Sequence, residues 1–213
     1  MSIKVSDLRV NFNGSVTITA HLEDYRKVHN RTLLILEKPY GGASKAIKSA
    51  KVDRHGNLQA KVSLQKRTSF SAQFGGDIDW KPATSRSVTV QVYASIKGRM
   101  IRNYGRAGSY ALYHNKGSCT TAAHTRCPEE AVKVSPNHGG DTITATLQAF
   151  TGGKWRFVTN ISGPLAANST AIVITWYTGP GVIGVNLRAH VQIKGDAENL
   201  GRTSSWQYFR VTK

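Results

Sequence analysis

One stretch of the chain occurs twice, and that repeat restricts the fold more than any other feature. Phe70 to Val92 reads FSAQFGGDIDWKPATSRSVTVQV, and Ala189 to Val211 reads AHVQIKGDAENLGRTSSWQYFRV, an offset of 119 residues throughout. In each copy, alternating side chains (Phe70, Ala72, Phe74; Ala189, Val191, Ile193) lead into a Gly-Asp pair, Gly76-Asp77 or Gly195-Asp196. A Ser follows eight residues after the Asp, and a second alternating run comes next: Val88, Val90, Val92 in one copy, Phe209 and Val211 in the other. A second echo is read between Ile18-Thr-Ala-His-Leu22 and Ile143-Thr-Ala-Thr-Leu147, offset 125. Two matches in the same order indicate a duplicated domain. The 213 residues then divide into halves of about a hundred, each long enough to bury its own core.

Alternation of period two dominates, and no run of helical periodicity reaches eleven residues. Val16, Ile18, Ala20 and Leu22 lie on one face of a strand, with Thr17, Thr19 and His21 on the other. Thr32 to Lys38 (TLLILEK) reads as a central strand, and Leu58, Ala60, Val62 and Leu64 alternate again. Gly41-Gly42 and Asp53-Arg-His-Gly56 mark turns between them, since Gly takes positive φ without steric cost. Short strands separated by such turns predict an all-β fold of two tandem β-sandwiches, residues 1–94 and 95–213. About 13 residues precede the Ile18 strand in the first half, and over 40 precede its echo in the second. The excess predicts an insertion over about 104–136, at the end of a sandwich where loops vary freely.

Net charge is +17, from 29 Lys and Arg against 12 Asp and Glu. Residues 1–94 carry 15 basic and 7 acidic side chains, and residues 95–213 carry 14 and 5. Because the cations alternate with apolar residues, as in Lys61-Val-Ser-Leu-Gln-Lys66, they read as solvated sheet faces rather than a nucleic-acid stripe. A field of this size also favours polyanions: teichoic acid, acidic glycan or, non-specifically, nucleic acid. No apolar run is long enough for a membrane span. Met1-Ser-Ile-Lys-Val5 enters strand-like sequence with no signal peptide, which fits either a cytosolic protein or a mature or shortened form of an exported one, and the second is the expectation.

The two cysteines, Cys119 and Cys127, stand eight residues apart in GSCTTAAHTRC. A disulfide is the leading expectation and implies an oxidising compartment. A zinc site of His114, Cys119, His124 and Cys127 has suitable ligand types, but H-x4-C-x4-H-x2-C matches no familiar structural pattern. Free thiols are the remaining alternative. Gly179-Pro-Gly-Val-Ile-Gly184 formally fits G-x-G-x-x-G, but alternation at Val185, Leu187 and Ala189 leaves no helix to face a pyrophosphate. Asp77 with Asp79, and Asp196 with Glu198, occupy equivalent corners. Two carboxylates are few for Ca²⁺, so a turn-fixing role is expected at Gly76, Asp77, Gly195 and Asp196. There is no G-x-S-x-G elbow, H-E-x-x-H or phosphate loop. No cofactor or metal is therefore expected, and no enzyme, with an uncharacterised hydrolase as the remote alternative because triads assemble in space. Of the aromatics, Trp155, Trp176 and Trp206 lie in strand patterns and read as packing residues, while Trp80 and Tyr40 lie in turns and are the better candidates for exposed platforms.

With the Gly-Asp corner and its flanks in view, the chain resembles the bacterial immunoglobulin-like domains, and more closely the tandem repeat proteins exported by actinobacteria. The carrying residues are Phe70 to Val92, Lys38-Pro-Tyr-Gly-Gly42, Val52-Asp-Arg-His-Gly56, Ser135-Pro-Asn-His-Gly139, Gly153-Lys-Trp155 and Gly195-Asp196. The likeness is weakest from Ser95 to Val134. It implies immunoglobulin-like sandwiches, a secreted or wall-associated location, and a non-catalytic spacer, adhesion or display role with protein or anionic wall-polymer partners. The expected contact surface is the inserted loop, with Tyr113, His114, Lys116, His124 and Arg126.

Overall fold

A computed structural model describes residues 1–23, 30–115, 127–174 and 180–213; the side chains of Ile174 and Pro180 are outside it. The described residues form two compact units, Met1–Tyr93 together with Gly195–Leu200, and Ala94–Lys194 together with Gly201–Lys213. Among the described residues all regular structure is strand apart from a short 3-10 turn at Pro180–Val182. No described helix is long and apolar enough to cross a membrane.

In unit 1 the first sheet has the order β1-β3-β6, from β1 (Ser2–Val5), β3 (Gly14–His21) and β6 (Asn57–Leu64). The second has the order β2-β9-β7-β4-β5, from β2 (Arg9–Asn11), β4 (Thr32–Pro39), β5 (Lys45–Lys51), β7 (Thr68–Phe74) and β9 (Val88–Tyr93), with β8 (Ala83–Thr84) on β7. The inward residues of both sheets make one core: Val16, Ile18 and Ala20 from β3 face Leu33, Ile35, Phe70, Ala72, Val90 and Val92 from the other sheet. That is the alternation read from the sequence, closed by burial of both apolar faces.

Unit 2 repeats the plan. One sheet is β10-β13-β16, from β10 (Ser95–Ile101), β13 (Glu129–Ser135) and β16 (Thr170–Ile174). The other is β11-β12-β19-β17-β14-β15, from β11 (Gly105–Ala107), β12 (Tyr110–His114), β14 (Thr142–Thr151), β15 (Lys154–Pro164), β17 (Asn186–Ile193) and β19 (Gln207–Thr212), with β18 (Arg202–Thr203) on β17. In both units a short strand pairs in parallel with the last one, β2 with β9 and β12 with β19. Each unit is an immunoglobulin-like β-sandwich.

The 119-residue repeat is reproduced bond for bond. Asp77 Oδ1 accepts from the amides of Asp79 and Trp80, both at 2.9 Å, and Asp196 Oδ1 accepts from those of Glu198 and Asn199, both at 2.7 Å. Ser85 Oγ accepts from the Ala72 amide at 2.9 Å and donates to the Arg86 carbonyl. Ser204 Oγ accepts from the Val191 amide at 2.9 Å and donates to the Ser205 carbonyl. Only the first corner needs its glycine for conformation: Gly76 has φ +84°, and a Cβ there would lie 2.9 Å from the Pro82 nitrogen. Gly195 is absent from the positive-φ positions.

The second echo is a misalignment. Ile18 lies in β3, between β1 and β6, whereas Ile143 lies in β14, between β15 and β17. Ile143 pairs with Ile193, and Leu33 pairs with Phe74, its counterpart by the 119 offset. Ile143 therefore corresponds to Leu33, and β14 to β4. The true counterpart of β3 is β13, and that of β1 is β10, where Ser2-Ile-Lys-Val5 returns as Ser95-Ile-Lys-Gly98. The expected insertion over about 104–136 contracts accordingly, because β12 and β13 are framework strands. What is added is the short strand β11 and the connection 115–128, which stands where unit 1 has only Phe12-Asn13 between β2 and β3.

The matched serines should behave alike. Ser85→Ala and Ser204→Ala each strip a strand amide of its acceptor and should each cost about 1–3 kcal/mol in urea denaturation of the whole chain. One substitution costing this much while the other is neutral would contradict the equivalence.

Candidate functional site

The expected contact surface does not assemble as read. Tyr113 is a core residue, 1% exposed. Strand alternation in β12 turns Ala111 and Tyr113 inward, where the ring meets Phe209 edge-on at 6.3 Å and the hydroxyl donates to the Ile101 carbonyl at 2.6 Å. Burial pushes this phenol well above its ordinary pKa. His114 is exposed and stacks on Tyr104 with centroids 4.0 Å apart. Lys116, Cys119, His124 and Arg126 lie outside the described residues. Cys127 is buried, and its expected partner Cys119 lies outside the described residues. Of the turn aromatics, Tyr40 sits under the Arg67 guanidinium at 4.4 Å and Trp80 under that of Arg31 at 5.5 Å, both partly exposed. Trp176 is outside the described residues. The glycine-rich run ends at Gly184, whose amide bonds the Val211 carbonyl, and β17 follows rather than a helix.

No nucleophile–base pair is evident among the described residues. His138 Nδ1 lies 2.9 Å from Asp141 Oδ2 across a turn closed by the Asp141 amide on the His138 carbonyl, and the nearby Ser169 Oγ accepts from the His138 backbone amide, which ties two segments of the chain together. The unusual carboxylates are Glu129 and Glu130 on β13, both fully buried. Glu129 faces out of the sandwich and pairs with Arg102 at 3.1 Å. Glu130 faces inward, opposite Met100 and Val173, and neither of its oxygens has a hydrogen-bond partner. Burial pushes its pKa up to about 8. Strand register aligns Glu130 with Val16 and Gly98 with Val5. A Cβ on Gly98 would meet Glu130 Oε1 at 2.1 Å, so the carboxyl occupies space that a valine fills in unit 1.

The feature that distinguishes unit 2 is the outer face of its larger sheet. Arg188 lies between two indoles, 4.4 Å from the Trp155 centroid and 4.0 Å from that of Trp206. His190 stacks on Trp206 at 3.8 Å. Phe150 and Tyr208 meet Trp155 edge-on at 5.2 and 5.9 Å, and Tyr110 meets Tyr208 at 5.7 Å. Arg188 also donates twice to Gln148 Oε1, and Arg210 twice to Asn186 Oδ1. Each bond or stack holds a long side chain flat against the sheet. Burial and the Arg188 charge both lower the His190 pKa, which keeps its imidazole neutral beside the guanidinium. Phe157, on the same edge hairpin, is 62% exposed.

The repeat supplies an internal control for this face. At an offset of 119, Arg188, His190, Trp206, Tyr208 and Arg210 stand where unit 1 has Ser69, Ser71, Ser87, Thr89 and Gln91. The frame is the same, and small polar side chains have become aromatic and cationic ones. The sequence held the signal: these five residues alternate with inward Leu187, Ala189, Phe209 and Val211.

No family model matches the chain, and no curated protein does. Among solved structures, a DUF4785 family protein from Legionella pneumophila is similar at 8% identity and TM-score 0.45, covering 98% of this chain and 55% of that one. The D0-D1 domain of intimin is similar at 13% identity and TM-score 0.35, covering 98% and 97%. A C-terminal 282-residue fragment of intimin in complex with the translocated intimin receptor intimin-binding domain is similar at 13% identity and TM-score 0.38, covering 96% and 63%. This chain thus spans about half the length of the first. At these scores none of the likenesses carries the fold or function of this chain, and the immunoglobulin-like assignment rests on its own strand order.

Burial of Glu130 has a signed consequence for stability. Its folded pKa of about 8 lies above the 4.5 of a free glutamate, so between those values the folded state holds a proton that the unfolded state has lost. Its contribution should be greatest below about pH 4.5 and fall by about 1.4 kcal/mol per pH unit up to about pH 8, then level off. Denaturation across that range should show a slope that Glu130→Gln removes; an unchanged slope in the variant would contradict the assignment.

Proposed function

We propose that this chain is a non-catalytic, secreted or cell-surface binding module of tandem immunoglobulin-like type, and that its second domain makes the contact. We take the domains as 1–94 and 95–213, and the Cys119–Cys127 pairing as a disulfide formed after export. The observation that carries this reading is the replacement of Ser69, Ser71, Ser87, Thr89 and Gln91 by Arg188, His190, Trp206, Tyr208 and Arg210 on an otherwise shared frame. Pre-stacked aromatics and Arg bury large area on contact at low entropic cost, which is the chemistry of interface anchors. His114 and the loop residues Lys116, His124 and Arg126 remain proposed contacts, because the loop replaces the two-residue link of unit 1.

A second reading follows from the charge of +17: electrostatic capture of an anionic wall polymer or glycan, with nucleic acid bound only non-specifically. Ionic strength separates the two. Panels of purified surface proteins, teichoic acid and heparin should include a protein retained at physiological salt, with Phe157→Ala and Tyr208→Ala each weakening retention at least tenfold and leaving the melting temperature within a few degrees. Retention of polyanions alone, falling by about a thousandfold between low and moderate salt, would favour the second reading. Intact mass should rise by two hydrogen atoms per chain on reduction, one on each sulfur; no change would remove the disulfide.

A further inference from the structure

Edge strands of a sandwich expose unpaired backbone groups, and a charged side chain on the strand is the usual protection against pairing with another chain. Among the described strands, every edge strand of three or more residues carries Lys or Arg except one. β1 has Lys4, β2 has Arg9, β5 has Lys45, Lys48 and Lys51, and β6 has Lys61. β10 has Lys97 and Arg99, β11 has Arg106, and β15 has Lys154 and Arg156. The exception is β16, Thr170-Ala-Ile-Val-Ile174, which has no charge, no proline and three β-branched apolar residues in a row at its end. It pairs with β13 on one side, and no described strand pairs with it on the other.

Backbone register shows which groups are on offer. The Val134 amide bonds the Ser169 carbonyl at 3.0 Å, so that opposed pair is hydrogen-bonded. Hydrogen-bonded and open pairs alternate along an antiparallel ladder. The pairs Val132–Ala171 and Glu130–Val173 are therefore bonded, and Ala131–Ile172 is open. The Thr170 carbonyl, which also points outward, already accepts from the Ala166 amide at 2.8 Å. The N–H and C=O of Ile172 thus point away from β13 toward the free edge, on a residue that is 55% exposed.

Both flanks of this edge are shaped to take side chains. Between β16 and β15 is a slot of about 200 Å³ lined by Ile143, Ile161, Gly163, Pro164 and Val173. On the outer face of the three-stranded sheet is a groove of about 760 Å³, whose floor includes Ala131, Ala171 and Ile172 and whose cations are Lys97, Arg99 and Lys133. No acidic residue lines either one. Lys133 donates to the Asn168 carbonyl, which leaves its charge uncompensated by any carboxylate there.

We propose that β16 is a docking edge that accepts an extended segment of a partner protein as an added strand, the segment alternating apolar residues directed into the slot with acidic residues directed over the groove. This is a surface additional to the aromatic face of the larger sheet. Backbone bonds to Ile172 supply register, the slot supplies burial, and the cations choose the charge. An acidic side chain on the added strand lies two strand spacings, about 9.5 Å, from the β13 row, a span that a glutamate and Lys133 bridge together. A second copy of this chain is a poor occupant, because its own edge strands bring cations to the same groove.

The test uses the whole chain and synthetic peptides that alternate valine with glutamate, alternate valine with lysine, or contain glutamate alone. The valine–glutamate peptide should bind saturably and slow exchange of the Ile172 amide at least tenfold. Ile172→Pro, which removes an N–H that the sandwich does not use, should weaken binding at least tenfold. Ile172→Lys, which installs the missing edge charge, should do the same should the proline variant fold poorly. Phe157→Ala should leave peptide binding unchanged, so loss of the aromatic face and loss of this edge are read separately. The proposal is overturned by equal binding of the valine–glutamate peptide to wild type and both Ile172 variants, by equal binding of the glutamate-only or valine–lysine peptide, or by wild-type chain that binds none of them.

Discussion

Two side-chain oxygens close each sandwich. Asp77 Oδ1 and its copy Asp196 Oδ1 each satisfy two successive loop amides, and Ser85 Oγ and Ser204 Oγ each satisfy a strand amide that has turned away from its neighbour. A corner of this kind lets the chain leave one strand, run two residues of short strand, and return as the last strand of the same sheet without an unpaired buried amide. The inward faces of that pair, Phe70, Ala72, Phe74, Val90 and Val92 in unit 1, then fix where every other strand must pack.

Because the corner is so constrained, it was the most legible part of the sequence. Strand alternation around it named most of the unit 1 core, and the 119-residue offset carried the same assignment to unit 2. The short echo at Ile143 misled for a physical reason. Inward-facing apolar residues in alternation look alike whichever sheet they belong to, and ITAHL and ITATL share a period rather than a place. Ser2-Ile-Lys-Val5 and Ser95-Ile-Lys-Gly98 held the correct register, masked by their length. Tyr113 misled similarly: as a polar-tipped aromatic near a variable loop it looked like a contact, but strand phase turned it inward, and a backbone carbonyl satisfied its hydroxyl.

The site is legible only when the two copies are compared across the faces that do not make the core. Position by position, a serine and threonine surface in unit 1 becomes an interlocked layer of Trp, Arg, His and Tyr in unit 2. The buried pair of Glu130 and Gly98 shows the same freedom working inward, with a carboxyl standing where register puts a valine in the first copy. Neither change disturbs the strand order, since both act on side chains whose backbone partners are already satisfied. A duplicated frame that tolerates such exchange is suited to presenting a new surface while the first copy keeps the old one.

The account stands on the two corners being the same physical object. Amide hydrogen exchange of the intact chain tests this directly at four matched positions: Ala72 with Val191, Asp77 with Asp196, Asp79 with Glu198, and Trp80 with Asn199. Each pair should be protected in both copies, to within about one order of magnitude. Protection at one corner together with free exchange at the other would show that the likeness lies in the letters and not in the structure.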